Sequence, residues 1–159
     1  MFQTTKSLTQ VAALPYVHIG KDVEILLIKS RRQQHWIIPR GWPIEGESFA
    51  DTAVREANEE AGAIGNIGSD PVGDYVYKKR TGQGYRVPCR VLVYPLQVTQ
   101  QRLDWHEKAE RKLTWHPLHQ AASTVHQKSL GSFLDAIARA PDQLLSLEMI
   151  TSQQDWNMD

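Results

Sequence analysis

The chain has 159 residues, 41% of them apolar and 23% charged, with 18 basic side chains against 18 acidic ones. That is enough for one domain with a sizeable core and too little like charge for bulk disorder. A net charge of zero leaves no global field to draw the chain onto nucleic acid or a membrane surface.

Cys89 is the only cysteine, which excludes an intramolecular disulfide and a cysteine-based metal site and suits a reducing compartment. The longest apolar runs, residues 25–28 and 91–96, are strand length, far short of the roughly 20 residues that span a bilayer. Residues 1–10 lack the basic start and following apolar stretch of a secretory signal, so a cytoplasmic location is expected.

Residues 9–18 and 22–29 read as two strands joined by a turn at Gly20 and Lys21. A short extended stretch at 35–39 follows, and Gly41, Pro43 and Gly46 then crowd a loop that needs unusual backbone freedom. Ser48, with Asp51 three residues on, gives a capping-box-like start to a helix that stops at Gly62. Phe49, Ala50, Ala53, Val54, Ala57 and Ala61 form its buried stripe, and Arg55, Glu56, Glu59 and Glu60 lie off it. After a glycine-rich stretch, 72–79 and 86–98 read as strands, with Pro88 and Pro95 at an edge or bulge because each lacks a ladder donor. A strand is expected at 112–116, a helix from Pro117 to Val125, and a longer one capped by Ser129 and running to Arg139, where Pro141 ends it. Residues 1–140 are expected to form the domain. Residues 141–159 form an acidic tail without a basic residue, holding at most an apolar turn over 144–150. Strands, a helix, more strands and further helices make an α+β or three-layer arrangement.

Glu56, Glu59 and Glu60 stand at i, i+3 and i+4, where like charges repel by roughly 0.2–0.5 kcal/mol per pair. Arg55 reaches Glu59 but leaves Glu56 and Glu60. One reading is a solvated acidic face. The other is a site for a hard divalent cation, which takes oxygen ligands and offsets their repulsion.

The wider spacing separates the two. Gly41, five residues, Glu47, seven residues, then Arg55, Glu56, Ala57, Asn58, Glu59, Glu60, Ala61, Gly62 and Ala63 resembles the signature of the Nudix hydrolase family, with all seven fixed positions met and alanine in both apolar slots. The resemblance covers roughly residues 9–139 and implies an α/β/α sandwich around a mixed sheet, a Mg²⁺ or Mn²⁺ cofactor, and water attack on a phosphoanhydride. It implies Glu56 and Glu60 as metal ligands, with Glu59 as base or further ligand. Gly41 would bring its backbone carbonyl close to the metal, although an ordinary turn glycine serves the spacing equally well. Glu47 and Arg55 would form a structural ion pair.

Outside the signature, residues 36–41, Trp105, Glu107, Arg111 and Trp115 resemble the branch acting on diphosphoinositol and diadenosine polyphosphates. By position, substrate contacts would come from Ser30, Arg31, Arg40, Lys78, Lys79, Arg80, Arg111 and Lys128. Trp42 and Pro43 depart from the branch, where a second glycine or similar small residue follows Gly41. A nucleoside substrate would also want an aromatic to stack on. Trp36, Trp42 and Tyr85 are available, with Trp36 better placed in the core. The six histidines show no metal-ligand spacing.

The substrate is therefore expected to be small and phosphate-rich, with no membrane partner and no nucleic acid unless RNA 5′ ends are attacked, and the chain a monomer or homodimer. ADP-ribose or triphosphorylated RNA as substrate, and a non-catalytic binding module, are the alternatives. Residues 45–60 carry a charge of −5 and residues 76–90 a charge of +5, so the neutrality is a cancellation.

Overall fold

The computed structural model describes residues 8–145. Strand β1 (Leu8–Ile19) turns through Gly20, at φ 61°, into β2 (Asp22–Lys29). Two short strands follow, β3 (Trp36–Ile37) and β4 (Arg40–Gly41), and then helix α1 (Phe49–Ala61). Next come β5 (Ala63–Ile67), β6 (Gly73–Arg80), β7 (Arg86–Gln101), a 3₁₀ turn (Lys108–Glu110) and β8 (Leu113–Pro117). Helices α2 (Leu118–Thr124), α3 (Lys128–Arg139) and the short α4 (Asp142–Leu145) complete the described residues.

All eight strands join one sheet with the central order β3-β2-β1-β7-β5. β1 and β7 run parallel from Leu8↔Cys89 to Tyr16↔Gln97, and the other pairings are antiparallel. The sheet is therefore mixed. Every residue of β1 from Gln10 to Tyr16 is buried, and successive side chains point to opposite faces, so helices cover both faces. This is the expected α/β/α sandwich. Opposite Tyr16, β1 pairs with β2, while lower down Val11 and Ala12 pair with Gly41 and Arg40 of β4, which carries the start of the signature onto the sheet.

The local start and stop of α1 follow the expected chemistry. The Ser48 hydroxyl accepts from the Asp51 amide at 3.1 Å, and Gly62 closes the helix at φ 65°. Its buried side is wider than the alanine stripe. Thr52, Glu56 and Glu60 are buried as well, and Phe49, expected inside, is partly exposed at the first turn.

Three other expectations are corrected. Residues 63–67, passed over as part of a glycine-rich connection, form β5 against β7 with a register shift between Ile64 and Gly65. Pro88 and Pro95 lie in β7, a central strand. Pro88 precedes the start of the β1 ladder at Cys89, and Pro95 falls between the partners of β6 and β5, where its carbonyl accepts from the Gly68 amide. In both places the missing N–H leaves no ladder bond unmade. Helix α3 begins at Lys128 with Gln127 as its cap, and Ser129 sits inside the first turn. Leu144 is buried and its carbonyl accepts from the Tyr16 hydroxyl at 2.7 Å. The remainder of the stretch expected as a tail, residues 146–159, lies outside the described residues, as does most of the expected apolar turn.

Candidate active site along α1

The loop between β4 and α1 is tied to the helix by one arginine. The Arg55 Nε lies 3.3 and 3.2 Å from the two Glu47 oxygens, and Nη2 reaches Glu47 Oε1 at 3.1 Å and the Trp42 carbonyl at 3.4 Å. Thr52 donates to the same carboxylate at 2.7 Å. These bonds from Arg55 and then Thr52 hold the Glu47 carboxyl below the ordinary carboxylate range. Nη1 of Arg55 turns the other way, to Glu56 at 2.8 Å and Glu59 at 3.5 Å.

Glu56 and Glu60, one turn apart, face the sheet. Gly41 packs so closely on Glu56 that a Cβ there would overlap its carboxylate, which selects a close approach over an ordinary turn as the reason for that glycine. Glu60 accepts from the Arg40 amide at 3.0 Å and from Arg111 at 2.9 Å. Burial raises the pKa of both carboxyls, and that of Glu60 reaches about 8 despite Arg111. Glu59, with its side chain 42% exposed, faces solvent beside them. The three glutamates are thus two buried and one open, not a solvated face.

Arg111 is engaged inside the protein through all three of its nitrogens. Its three nitrogens donate to Glu107 (3.0 Å), the Lys29 carbonyl (3.0 Å) and Glu60 (2.9 Å), and its side chain is 6% exposed. Glu107 was not among the expected site residues. It is buried, its amide donates to the Glu59 carbonyl, and it adds a fourth carboxylate close enough to raise the pKa of Glu56 and Glu60. The sequence signal was the Trp105–His106–Glu107 string, whose glutamate has no helical neighbour to mark it.

The other expected contacts scatter. Ser30 uses its hydroxyl on the His35 amide, closing the 30–35 loop, and Arg31 points to Glu110 at 3.4 Å and Glu107 at 3.7 Å. The Arg40 guanidinium lies 4.2 Å from the centre of the Tyr77 ring and donates to the Tyr75 hydroxyl and to Gln127, each at 3.3 Å. Alternation along β6 puts Lys79 on the face of Tyr75 and Tyr77, with its ammonium 5.5 Å from the Trp42 ring centre, and sends Lys78 and Arg80 to the opposite face. Lys128 is exposed on the first residue of α3, beside Gln127. Tyr75, Tyr77 and Gln127 were not anticipated. Only the fold brings them to Arg40.

Among the described residues, no three histidine, cysteine or carboxylate side chains converge as a ready cluster for a metal ion. The donor set nevertheless suits a hard divalent cation: carboxylate oxygens on one helix, and the Gly41 backbone pressed against one of them without a Cβ between.

A family model for the NUDIX domain matches residues 9–137, and the chain belongs to that family. Among relatives, it is 31% identical over 108 residues to Nudix hydrolase 16, mitochondrial, of Arabidopsis thaliana, covering 66% of this chain and 59% of that one. It is 34% identical over 118 residues to diphosphoinositol polyphosphate phosphohydrolase 2 of Mus musculus, covering 73% and 62%. The chain spans about three fifths of the length of these curated relatives. A C. elegans Ap4A hydrolase complex shares the fold with a TM-score of 0.66 at 21% identity, over 86% of this chain and 98% of that one. The NUDIX domain of Shewanella oneidensis NrtR, complexed with ADP ribose, does so with a TM-score of 0.62 at 18% identity, over 87% and 90%. No helix among the described residues is long and apolar enough to cross a membrane.

Proposed function

We propose that the chain is a Mg²⁺-dependent hydrolase, with Mn²⁺ as a substitute metal, that cleaves a phosphoanhydride bond in a nucleoside- or inositol-type polyphosphate. The observation that carries the reading is the pair Glu56 and Glu60, buried against a glycine whose Cβ would overlap Glu56. Two carboxyl groups buried side by side serve a ligand better than they serve the fold. Glu56, Glu60, Glu59 and the Gly41 carbonyl would hold the cation. When bound, it supplies Lewis acidity toward the phosphate oxygens.

The chain's own groups do the rest. Glu59, open to solvent, takes a proton from the attacking water as its oxygen bonds to phosphorus. The bridging P–O bond breaks, and the leaving phosphate keeps the electron pair. Arg55 holds Glu59 and Glu56 in register, and Glu47 holds Arg55. Arg40 and Lys79 present positive charge on the same side, and Arg31, Ser30 and Lys128 stand further out as contacts for an extended substrate, whereas Lys78 and Arg80 lie on the other face of β6. The likeness to diphosphoinositol polyphosphate phosphohydrolase 2 supports a phosphate-rich substrate. The single cysteine, buried and unpaired, supports work in a reducing compartment such as the cytoplasm, and we infer a monomer or homodimer.

The test is phosphate release from dinucleoside polyphosphates, ADP-ribose, capped RNA and inositol pyrophosphates, with and without Mg²⁺. Turnover that needs the metal, and that falls about 10²–10⁴-fold in Glu59→Gln, is expected. Silence across the panel overturns the reading in favour of a binding module, and near-full turnover by Glu59→Gln removes that residue from the role of base.

A further inference from the structure

We propose that Trp42 is the specificity-determining residue of this site, a platform on which the planar base of a nucleoside polyphosphate stacks, with Lys79 beside it to meet the adjoining phosphate. The proposal rests on the hydrolase reading above and narrows its substrate to one class. Trp42 directly follows Gly41, the residue packed on Glu56, and its carbonyl accepts from Arg55, so its backbone is fixed relative to the glutamates. Its ring is not used by the core. It is 45% exposed, and the Lys79 ammonium lies 5.5 Å from the ring centre.

The other candidate aromatics lie elsewhere. Trp36 packs partly into the core from β3 under Lys29, and Tyr85 stands 69% exposed in the turn between β6 and β7. Of Trp36, Trp42 and Tyr85, Trp42 alone combines an open face with a place inside the signature.

The cations tell against the inositol alternative. A compact ring of phosphates needs several uncompensated cations at once. Here Arg31 is paired with Glu107 and Glu110, and Arg111 with Glu60 and Glu107, while Arg40 keeps its charge but is held in place by the neutral groups of Tyr75, Tyr77 and Gln127. Lys78 and Arg80 face away from Lys79. What remains near the glutamates is one aromatic face, the Lys79 ammonium and the Arg40 guanidinium, with Lys128 further out at the start of α3, which suits a flat base followed by a short phosphate chain better than a full ring of phosphates. Stacking tolerates any base, because every base has a π-face.

Calorimetric titration in Mg²⁺ compares β,γ-methylene-ATP with inorganic tripolyphosphate, which carries the phosphates without the base. The wild-type chain should bind the nucleotide about tenfold more tightly, the low end of what base stacking supplies. Trp42→Ala should bring the two ligands within about twofold of each other, Trp42→Phe should keep most of the preference, and Lys79→Met should weaken both ligands alike. Because Trp42 is exposed, thermal melting of Trp42→Ala should match the wild type. A preference that survives Trp42→Ala, or no preference in the wild type, overturns the proposal. Either result leaves the hydrolase reading intact, since that reading falls only if wild-type turnover fails on every substrate of the panel.

Discussion

A methyl group at position 41 would overlap the carboxylate of Glu56, and the atoms it meets are the far end of a flexible side chain, not backbone. Gly41→Ala should therefore push Glu56 aside and leave the fold alone, because the φ of Gly41 is not positive and alanine adopts it without strain. The expected result is a fall in kcat/KM of about 10²-fold with an unchanged melting temperature. Wild-type turnover would show that the position of Glu56 is not needed. A second single-residue effect comes from the stacked imidazoles of His35 and His126, 3.8 Å apart between ring centres. Burial first, and His126 second, lower the pKa of His35 below its ordinary 6.5. The unfolded chain then binds the proton more readily than the folded one, so His35 destabilises the fold at low pH, and that penalty fades as pH rises toward 6.5. The raised carboxyl of Glu60 works the other way, its contribution fading between 4.5 and about 8, so the effect of His35 is read as a difference: the melting temperature of the wild type relative to His35→Gln should rise with pH up to 6.5. A difference that does not change with pH would place the origin of the slope elsewhere. Spacing along one helix made the signature glutamates legible. His35 and His126 were not, since only the folded chain makes them neighbours.

Helix α1 is held at its far end by the segment that follows β7. The Arg102 amide donates to the Gly62 carbonyl, the Glu107 amide to the Glu59 carbonyl, and the Trp105 ring lies against Gly62, where a Cβ would come within 2.8 Å of it. Arg111 locks this segment to the helix by bridging Glu60 and Glu107, and it holds the 29–30 turn through the Lys29 carbonyl. Removing it leaves two buried carboxylates without their cation. Arg111→Met should cost about 3–5 kcal/mol in urea denaturation, with Arg111→Lys recovering only part, because an ammonium cannot serve three acceptors in a fixed fork. A loss below about 1 kcal/mol would mean that the carboxylates take up protons instead of staying charged. At this scale the elements with strong local signals were legible: the hairpin of β1 and β2, the Ser48 and Gly62 ends of α1, and the apolar stripe of α3. β5 was not, because Ala63, Gly65 and Asn66 have poor strand propensity and the strand is held by β7. The prolines of β7 argued for an edge. Both sit where the neighbouring ladder is interrupted, a fact of topology that local sequence does not carry.

Across the whole molecule, the charge of residues 45–60 is partly cancelled at short range and that of residues 76–90 is dispersed, so the two do not stand as opposed poles. Glu47 and Glu56 meet Arg55, Glu60 meets Arg111 from another segment, and Arg90 meets Asp74. The basic strand β6 divides its cations between two faces. The sequence total was thus a sound guide to the absence of a global field, but the segment sums overstated the local ones, because alternation along a strand and pairing between distant segments are invisible to a sum. A substrate approaching this surface meets a weak long-range field and a few short-range contacts. Electrostatic steering by an uncompensated basic cleft raises association rates by about 10–10³-fold and is lost as salt shortens the Debye length from about 30 Å at 0.01 M to about 8 Å at 0.15 M. For this chain, kcat/KM on a nucleoside polyphosphate at fixed free Mg²⁺ should fall by less than about tenfold over that range, most of it from the half-buried Lys79. Lys79→Met should remove most of the salt dependence that remains. A fall of about 10²-fold or more in the wild type would show that the cations paired here are released to the substrate on binding, and that Arg31 and Arg111 exchange their carboxylates for phosphate.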